Sequence, residues 1–233
     1  MAVVAVGLAL LIKTFLVQPF YIPSESMETT LLRNDRVLVS KLAYRWGEVE
    51  RGDVIVFNGG GSWQPGLEPD EGRDYIKRVI GLPGDRVACC DAQGRVTVNG
   101  RPLVEDYLYP QDRPSLSEFS VTVPPGRLWV MGDHRSASAD SRAHTSDPGN
   151  GTIPLQSVVG RAFIVIWPPN RIGLLSPPPA FEKVESAPAA SGEAAEVGKT
   201  AEGGTTVELG KTAGPEKPEP AAQAPAHAEE GTR

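Results

Sequence analysis

The sequence predicts a mostly β fold: one β domain that follows a single apolar N-terminal segment. Short runs rich in β-branched and aromatic residues, separated by turn residues, recur between residues 37 and 167, and few stretches have helical periodicity. The only long apolar run covers residues 2–17, and after residue 176 the composition changes to Ala, Glu, Gly, Pro and Thr. We therefore divide the 233 residues into an anchor (1–19), a β domain (20–175) and a tail (176–233).

The N-terminal segment is apolar over residues 2–17 apart from Lys13 and Thr14. As a helix it would be about 24 Å long, which is short against a hydrocarbon core of about 30 Å, but two aromatic residues follow it at interfacial positions. A cleaved secretory signal is the alternative. Against it, no basic stretch precedes the apolar core, and residues 18–20 contain no small-x-small cleavage pattern. We expect one uncleaved transmembrane helix within residues 1–19.

Eight runs of β-forming residues predict the strands of the domain. They cover residues 37–40, 54–57, 76–80, 86–88, 96–103, 119–123, 127–131 and 158–167. Asn99-Gly100 predicts a type I′ turn of a β-hairpin inside the fifth run. Residues 59–72 are rich in Gly and polar residues and predict a surface loop.

The acidity of the chain belongs to its tail. The formal net charge is −6, and residues 176–233 contain ten Glu against four Lys and one Arg. A segment with so little apolar surface to bury is predicted to be disordered. Gly198-Lys199-Thr200 and its repeat at 210–212 lack the glycine and the strand that precede a phosphate-binding loop, so no nucleotide is expected. Without a basic stripe, no nucleic acid is expected either.

The two cysteines, Cys89 and Cys90, are adjacent, and we expect two free thiols because neighbouring residues make a strained disulfide. The three histidines are scattered and show no spacing typical of metal ligands. We expect no metal and no other cofactor.

Two polar residues stand in settings that suggest chemistry. Ser26 lies in a turn that starts at Pro23, just after the apolar segment, and Lys77 lies in a predicted strand beside Ile76 and Val79. A desolvated lysine has a lowered pKa, and its neutral amine can act as a base for a serine nucleophile. An unperturbed lysine would be only about 0.04% neutral at pH 7, so this function requires a large depression of the pKa.

Four stretches resemble, in the family's order, the boxes of the type I signal peptidases, the bacterial leader peptidase family. They cover residues 21–31, 51–57, 74–85 and 131–142. Four boxes in order are far more specific than one. The resemblance implies a membrane-bound serine endopeptidase with a Ser/Lys dyad that removes signal peptides from exported preproteins. It also implies a folded β-sheet core with a β-rich insertion, here about residues 87–124.

The resemblance assigns a role to each matching residue. Ser26 would be the nucleophile and Lys77 the general base, while the Ser24 hydroxyl would help the Ser26 N–H to hold the oxyanion, one such donor being worth about 2.7–4 kcal/mol. Ser138 would hydrogen-bond Lys77 and orient it. Asp140 and Arg142 would form a supporting ion pair, and Asp133 and Arg135 would belong to the same loop. An extended substrate would add a strand at the edge near Asp74. Shallow substrate pockets would be lined by Phe20, Ile22, Pro23, Met27, Leu31, Tyr75 and Ile76.

Two residues depart from the family's usual pattern, since Glu25 replaces a glycine and Thr29 a proline. If the backbone needs a positive φ at residue 25, the Glu is strained. These departures favour one alternative, a catalytically impaired, membrane-tethered peptide-binding homologue. A second is a Ser-Lys self-cleaving regulator, which the N-terminal span counts against. His134 stands where Asn is frequent and leaves open a Ser-His-Asp triad with Asp133 or Asp140.

The expected protein is therefore a single-pass enzyme of the cell membrane with its catalytic domain on the extracytoplasmic side. Its partners would be the lipid bilayer and the signal peptides of secreted preproteins, and we expect a monomer.

Overall fold

A computed structural model describes residues 16–68 and 71–185 of the chain. The elements, in order, are β1 (Val17–Tyr21), β2 (Arg36–Ser40), α1 (Ala43–Trp46), β3 (Val54–Asn58), β4 (Asp74–Gly81), β5 (Arg86–Cys89), β6 (Val96–Val98), β7 (Arg101–Pro102), β8 (Phe119–Thr122), β9 (Arg127–Met131), β10 (Ile153–Pro154), β11 (Val158–Trp167) and β12 (Gly173–Leu174). Single 3-10 turns occur at Arg135–Ala137, Leu155–Ser157, Pro169–Arg171 and Pro179–Phe181. The prediction of a mostly β fold is confirmed, with strands at all eight predicted runs.

The larger sheet contains the strands that will position the candidate site. Its order is β1-β2-β11-β3-β4-β9-β10, with β12 beside β11, and all its pairs are antiparallel. The ten-residue β11 pairs with both β2 and β3, and shifts of register along it allow the sheet to curl. β9 pairs with β4 only from Arg78 onward. One edge of residues 74–77 therefore has no neighbouring strand in the described sheet.

A smaller sheet occupies the range predicted for the insertion. Its order is β7-β6-β5-β8, and its buried valines pack against Ile80 and Trp129 of the larger sheet. The hairpin between β6 and β7 turns at Asn99 and Gly100, whose φ angles of 53° and 77° are both positive. Both angles fit the predicted type I′ turn.

Two apolar clusters cover other parts of the larger sheet. One contains Ile22, Met27 and Leu31 from the segment after β1, packed against residues of β2, β3 and β11. The other contains Phe57 and Trp63. Trp63 is only 4% exposed, and its indole N–H donates to the carbonyl of Gly151 across 3.0 Å. The stretch predicted as a surface loop is therefore anchored in the core by Trp63. The Gly-rich composition of the stretch gave no indication of this buried residue.

The predicted anchor is described only at its C-terminal end, because residues 1–15 lie outside the described part of the chain. Residues 17–19 belong to β1, which pairs with β2 and so satisfies its backbone groups in the sheet. The β domain therefore begins at residue 17, which corrects the boundary placed at 20. Across the two described ranges, no helix has the length and apolar character needed to cross a bilayer.

The other predicted boundary, at residue 176, is also corrected. Phe181 and Val184 are buried in the cluster that joins the two sheets, and the guanidinium of Arg51 donates to the Val184 carbonyl across 3.2 Å. The packed chain therefore continues to residue 185, since apolar burial inside the Pro-rich stretch outweighs its tail-like composition. The remainder of the predicted tail, residues 186–233, lies outside the described residues.

Cys89 and Cys90 are joined by a disulfide, which corrects the expectation of two free thiols. β5 ends at Cys89, whose side chain is buried, and the exposed Cys90 follows directly. The two sulfurs therefore meet at the end of the strand.

Candidate active site

The turn that carries Ser26 is held by the apolar residues that follow it. Met27 and Leu31 have no exposed surface, and the Leu31 N–H donates to the Met27 carbonyl across 2.8 Å. The Glu28 N–H donates to the Glu25 carbonyl across 3.0 Å and closes the turn around Ser26, which is 6% exposed. Burial of its neighbours therefore fixes the hydroxyl of Ser26 without a regular helix or strand.

Glu25 occupies its position without backbone strain. The residues other than glycine with positive φ, among those described, are Asn34, Asn99, Gln111 and Asn150. Because Glu25 is not one of them and its side chain is exposed, replacing the family's glycine requires no left-handed backbone here.

Ser26 and Lys77 are in direct contact. The Nζ atom of Lys77 donates to the Oγ atom of Ser26 across 2.8 Å and to the carbonyl of Ile76 across 3.0 Å. Lys77 is only 4% exposed, and this burial lowers its pKa from 10.5 to about 8, although Asp140 and Asp133 act to raise it. At that pKa about a tenth of the amine is neutral at pH 7, roughly 200–300 times the fraction of an ordinary lysine.

The loop of residues 131–142, here called the catalytic loop, closes over the serine. The N–H of His134 donates to the Ser26 carbonyl across 3.2 Å. Gly132 comes so near that a Cβ atom there would lie 2.4 Å from the same carbonyl. On the other side, the hydroxyl oxygen of Ser24 lies 3.4 Å from that of Ser26. Ser24, the predicted oxyanion residue, is thus beside Ser26, the predicted nucleophile.

Ser138 does not make its expected contact. Its hydroxyl is buried and has no hydrogen-bond partner among the described residues. The Lys77 ammonium is instead held by the hydroxyl of Ser26 and the carbonyl of Ile76. Ser138 therefore makes no hydrogen bond to Lys77 in this structure, and the orienting role expected of it stays a prediction.

The predicted ion pair between Asp140 and Arg142 is present. Arg142 donates from Nε to Oδ1 and from Nη2 to Oδ2, each across 2.8 Å, and the Gly132 N–H donates to the same carboxylate across 3.0 Å. Burial acts to raise the pKa of Asp140, but these hydrogen bonds outweigh it and hold the pKa below its usual value. Asp140 is therefore a fixed negative charge near Lys77.

Asp133 and Arg135, the other two loop residues, do not pair with each other. Asp133 accepts two hydrogen bonds from Arg78, across 2.8 and 2.6 Å, and Arg135 pairs with Glu105. Sequence reasoning missed Arg78 and Glu105. Arg78 was visible beside Lys77 in the motif, whereas Glu105 lies in the insertion and carried no signal.

The alternative triad is not assembled. The Nδ1 atom of His134 lies 3.8 Å from a carboxylate oxygen of Glu28, and its ring stacks on Tyr109 with centroids 3.9 Å apart. Its hydrogen bond to Ser26 runs between backbone atoms. Both aspartates that the triad would need are occupied by arginines.

The predicted pocket residues divide into three groups. Those that share one apolar cluster are Phe20, Ile22, Met27, Leu31 and Ile76. Met27 and Leu31 are fully buried and form the interior beneath the turn, so they offer a substrate no surface. Tyr75 is partly buried against the other cluster with Phe57 and Trp63, and its assignment to the pocket stays a prediction. Pro23 and Asp74 are exposed, and Asp74 begins the free edge of β4.

Comparison with known proteins places this site in a family. The family model described as signal peptidase, peptidase S26, matches residues 1–167. The chain belongs to this signal peptidase family. The match includes all four sequence boxes and both residues of the Ser26–Lys77 contact.

Curated relatives agree with the signal peptidase assignment. Signal peptidase I of Mycobacterium tuberculosis (strain ATCC 25618 / H37Rv) is 45% identical, covering 75% of this chain and 73% of that protein. A probable signal peptidase I of Mycobacterium leprae is 42% identical, covering 74% and 76%. Signal peptidase I of Leptolyngbya laminosa is also 42% identical, covering 76% and 82%. The chain thus spans most of the length of each of these relatives.

Proposed function

We propose that this signal peptidase removes N-terminal signal peptides from exported preproteins, with Ser26 as nucleophile and Lys77 as general base. The observation that supports this pair is the buried 2.8 Å contact between Lys77 Nζ and Ser26 Oγ. When the amine is neutral, the same contact transfers the hydroxyl proton to Nζ while Oγ attacks the scissile carbonyl. The protonated lysine then donates to the leaving amine, and water hydrolyses the acyl-enzyme with the same base.

The negative oxygen formed in this attack needs donors. We assign the Ser26 N–H and the Ser24 hydroxyl to that role, because the Ser24 hydroxyl oxygen lies 3.4 Å from that of Ser26 and Ser24 is exposed to solvent. One donor of this kind contributes about 2.7–4 kcal/mol in the transition state.

The substrate would bind along the free edge of β4. Residues 74–77 have backbone groups without a neighbouring strand, because the pairing with β9 begins only at Arg78. An extended peptide can add to such an edge through main-chain hydrogen bonds. This edge ends at Lys77, so a peptide bound there would bring a carbonyl group to Ser26.

We also assign a membrane contact to one end of the larger sheet. Tyr21 and Trp167 both pair in register with Arg36, so their side chains lie at the same end, and they are 56% and 51% exposed. Ile172 and Leu174 flank Gly173, which pairs with Val165 two residues before Trp167, and they are 59% and 76% exposed. Aromatic residues favour the membrane interface, and an exposed apolar group of this kind suits a lipid surface. With an anchor that precedes residue 17, β1 would lie along the extracytoplasmic face of the bilayer.

The test uses detergent-solubilised protein, a preprotein and sequencing of the new N-terminus. Ser26→Ala, Lys77→Ala and Lys77→Arg should each abolish cleavage, the last because a guanidinium does not give up its proton in this pH range. Ser146→Ala and Lys183→Arg, at exposed positions, are the matched controls and should cleave normally. Near-normal turnover by Lys77→Arg would reject the pair. Peptide binding without cleavage by the unmodified chain would favour the impaired homologue instead.

A further inference from the structure

Two buried arginines lie in the elements that carry or contact the Ser26–Lys77 pair: Arg78 follows Lys77 in β4, and Arg135 follows His134, whose N–H donates to the Ser26 carbonyl. Arg78 is 2% exposed and Arg135 is 4% exposed. A buried charge without a partner is strongly unfavourable, and each of these has a buried carboxylate: Arg78 pairs with Asp133 and Arg135 with Glu105. Together the four side chains form an electrically neutral cluster, here called the arginine cluster.

The insertion supplies two residues that stabilise this cluster, Glu105 and Tyr107. Glu105 accepts a hydrogen bond from Arg135 Nη1 across 3.2 Å and a second from Nη2. The ring of Tyr107 covers the guanidinium of Arg78, with 4.5 Å between the ring centroid and Cζ. The Tyr107 hydroxyl donates to Glu105 across 2.6 Å. Two residues of one loop therefore hold both arginines.

The same loop also contacts the backbone of the catalytic loop. Arg135 donates to the carbonyl of Pro114 across 2.7 Å, and the N–H of Tyr109 donates to the carbonyl of Asp133 across 3.1 Å. The contacts extend along the loop from residue 105 to residue 114, so the catalytic loop rests on the insertion over its first residues.

A short chain of contacts leads from Glu105 to Lys77. Arg135 Nε donates to the Gly132 carbonyl across 2.9 Å, and the Gly132 N–H donates to Asp140 across 3.0 Å. The carboxylate of Asp140 favours the charged form of Lys77. Two carboxylates, Asp140 and Asp133, act directly on the pKa of Lys77. Arg142 pairs with the first of them and Arg78 with the second. The remaining charged groups of these elements are paired one step further away, Arg135 with Glu105, and Glu28 lies beside His134.

We propose that Glu105 and Tyr107 are positioning residues of the cleavage reaction. They hold Arg135 and Arg78 in place, and through these arginines they fix both the geometry and the charge of the loop that faces Lys77. Neither residue contacts the reacting atoms. The inference rests on the proposed Ser26–Lys77 site and gives the insertion a part in catalysis.

The main test is Glu105→Gln, which removes the negative charge and keeps the shape. We expect kcat to fall about ten-fold with KM within about two-fold of the unmodified value, because the misplaced loop acts on the chemical step. The acid limb of kcat/KM should also move to lower pH, because the uncompensated charge of Arg135 disfavours the ammonium of Lys77. Glu105→Asp, which restores the charge, should return the limb toward its original position. Asp106→Asn, an exposed carboxylate next in the same loop, is the control and should change neither quantity.

A second variant covers the case in which Glu105→Gln fails to fold. Tyr107→Phe keeps the ring over Arg78 and removes only the hydroxyl that holds Glu105, and it should lower kcat about three-fold with the fold intact by circular dichroism. A purely structural role would lower the amount of folded enzyme and leave the acid limb where it is. Folded variants with unchanged kcat, or a loss of kcat without movement of the limb in Glu105→Gln, would overturn the proposal.

Ser26→Ala, assayed in parallel, separates the two levels of inference. If Ser26→Ala still cleaves, the proposed catalytic pair is wrong. If it is inactive while Glu105→Gln behaves like the unmodified enzyme, only the positioning role is wrong.

Discussion

The backbones of Gly132 and Ser26 are in close contact: a Cβ atom added to Gly132 would lie 2.4 Å from the Ser26 carbonyl oxygen. The same atom would lie 2.3 Å from the hydroxyl of Ser138. A side chain of any size at residue 132 would therefore push the loop of residues 131–142 away from the turn that carries Ser26.

Gly132→Ala should consequently lower kcat/KM by about 100-fold, since a displacement of about 1 Å at a catalytic group has that effect. The measurement is the initial rate of cleavage of a preprotein or a signal-peptide substrate. Gly173→Ala is the control, because the nearest atom to a Cβ there is a carbonyl oxygen 3.8 Å away. Equal rates for the two variants would show that the close approach does not matter for catalysis.

The dependence of activity on pH should follow the ionisation of Lys77. Its pKa of about 8 means that kcat/KM is highest above pH 8 and falls below it as the amine becomes protonated. His134→Ala should keep this acid limb, because the imidazole contacts Glu28 and not the hydroxyl of Ser26. If the acid limb of kcat/KM instead lies near the ordinary pKa of histidine and disappears in His134→Ala, the Ser-His-Asp triad would be supported over the Ser26–Lys77 pair.

Lys77 should also reduce the stability of the fold. Its pKa is about 8 when folded and 10.5 ordinarily, so at pH 7 the buried ammonium disfavours folding by at most about 3 kcal/mol. Lys77→Met should then be inactive and yet unfold at a higher temperature than the unmodified protein at pH 7. Between about pH 8 and 10.5 the unfolded chain holds a proton that the folded chain lacks, so the free energy of unfolding of the unmodified protein increases as the pH rises. The difference in unfolding temperature between the unmodified protein and Lys77→Met should therefore narrow across this range. A constant gap across this window would mean that burial does not disfavour the ammonium.

The sequence predicted the strands and singled out Ser26 and Lys77, which the structure brings into contact, because these depend on local features. β-Branched runs set β2, β3 and β4, and motif residues marked Ser26 and Lys77. Partners that meet across long separations could not be predicted. Arg135 pairs with Glu105, 30 residues away, and not with Asp133 in its own loop, since burial of both charges decides the pairing. Phe181 was assigned to the tail, because composition averaged over a segment hides one buried aromatic.

The last described residues should contribute to stability, and the residues after them should not. Deletion of residues 186–233 is expected to leave cleavage and thermal stability unchanged. Deletion of residues 180–233 also removes Phe181 and Val184 from the core, which should cost about 2–5 kcal/mol. Thermal unfolding and preprotein cleavage of both truncations provide the measurement. Lower stability of the shorter deletion would show that residues after 185 contribute to the fold.

The final prediction concerns the residues that the enzyme accepts before the cut. A peptide paired with residues 74–77 of β4 is extended, so alternate side chains point toward the sheet, where the apolar cluster around Ile22 and Ile76 lies. Because Met27 and Leu31 are fully buried beneath the turn, the remaining space beside Ser26 should be shallow. We therefore expect Ala, Gly or Ser immediately before the cut and small residues two positions earlier, the Ala-x-Ala pattern of secretory signals, with variation tolerated between them. A matched peptide series, followed by mass spectrometry, should show cleavage after Ala at least about 100-fold faster than after Phe, which the shallow surface would exclude sterically. Efficient cleavage after Phe or Arg would contradict both the shallow pocket and the placement of the substrate along β4.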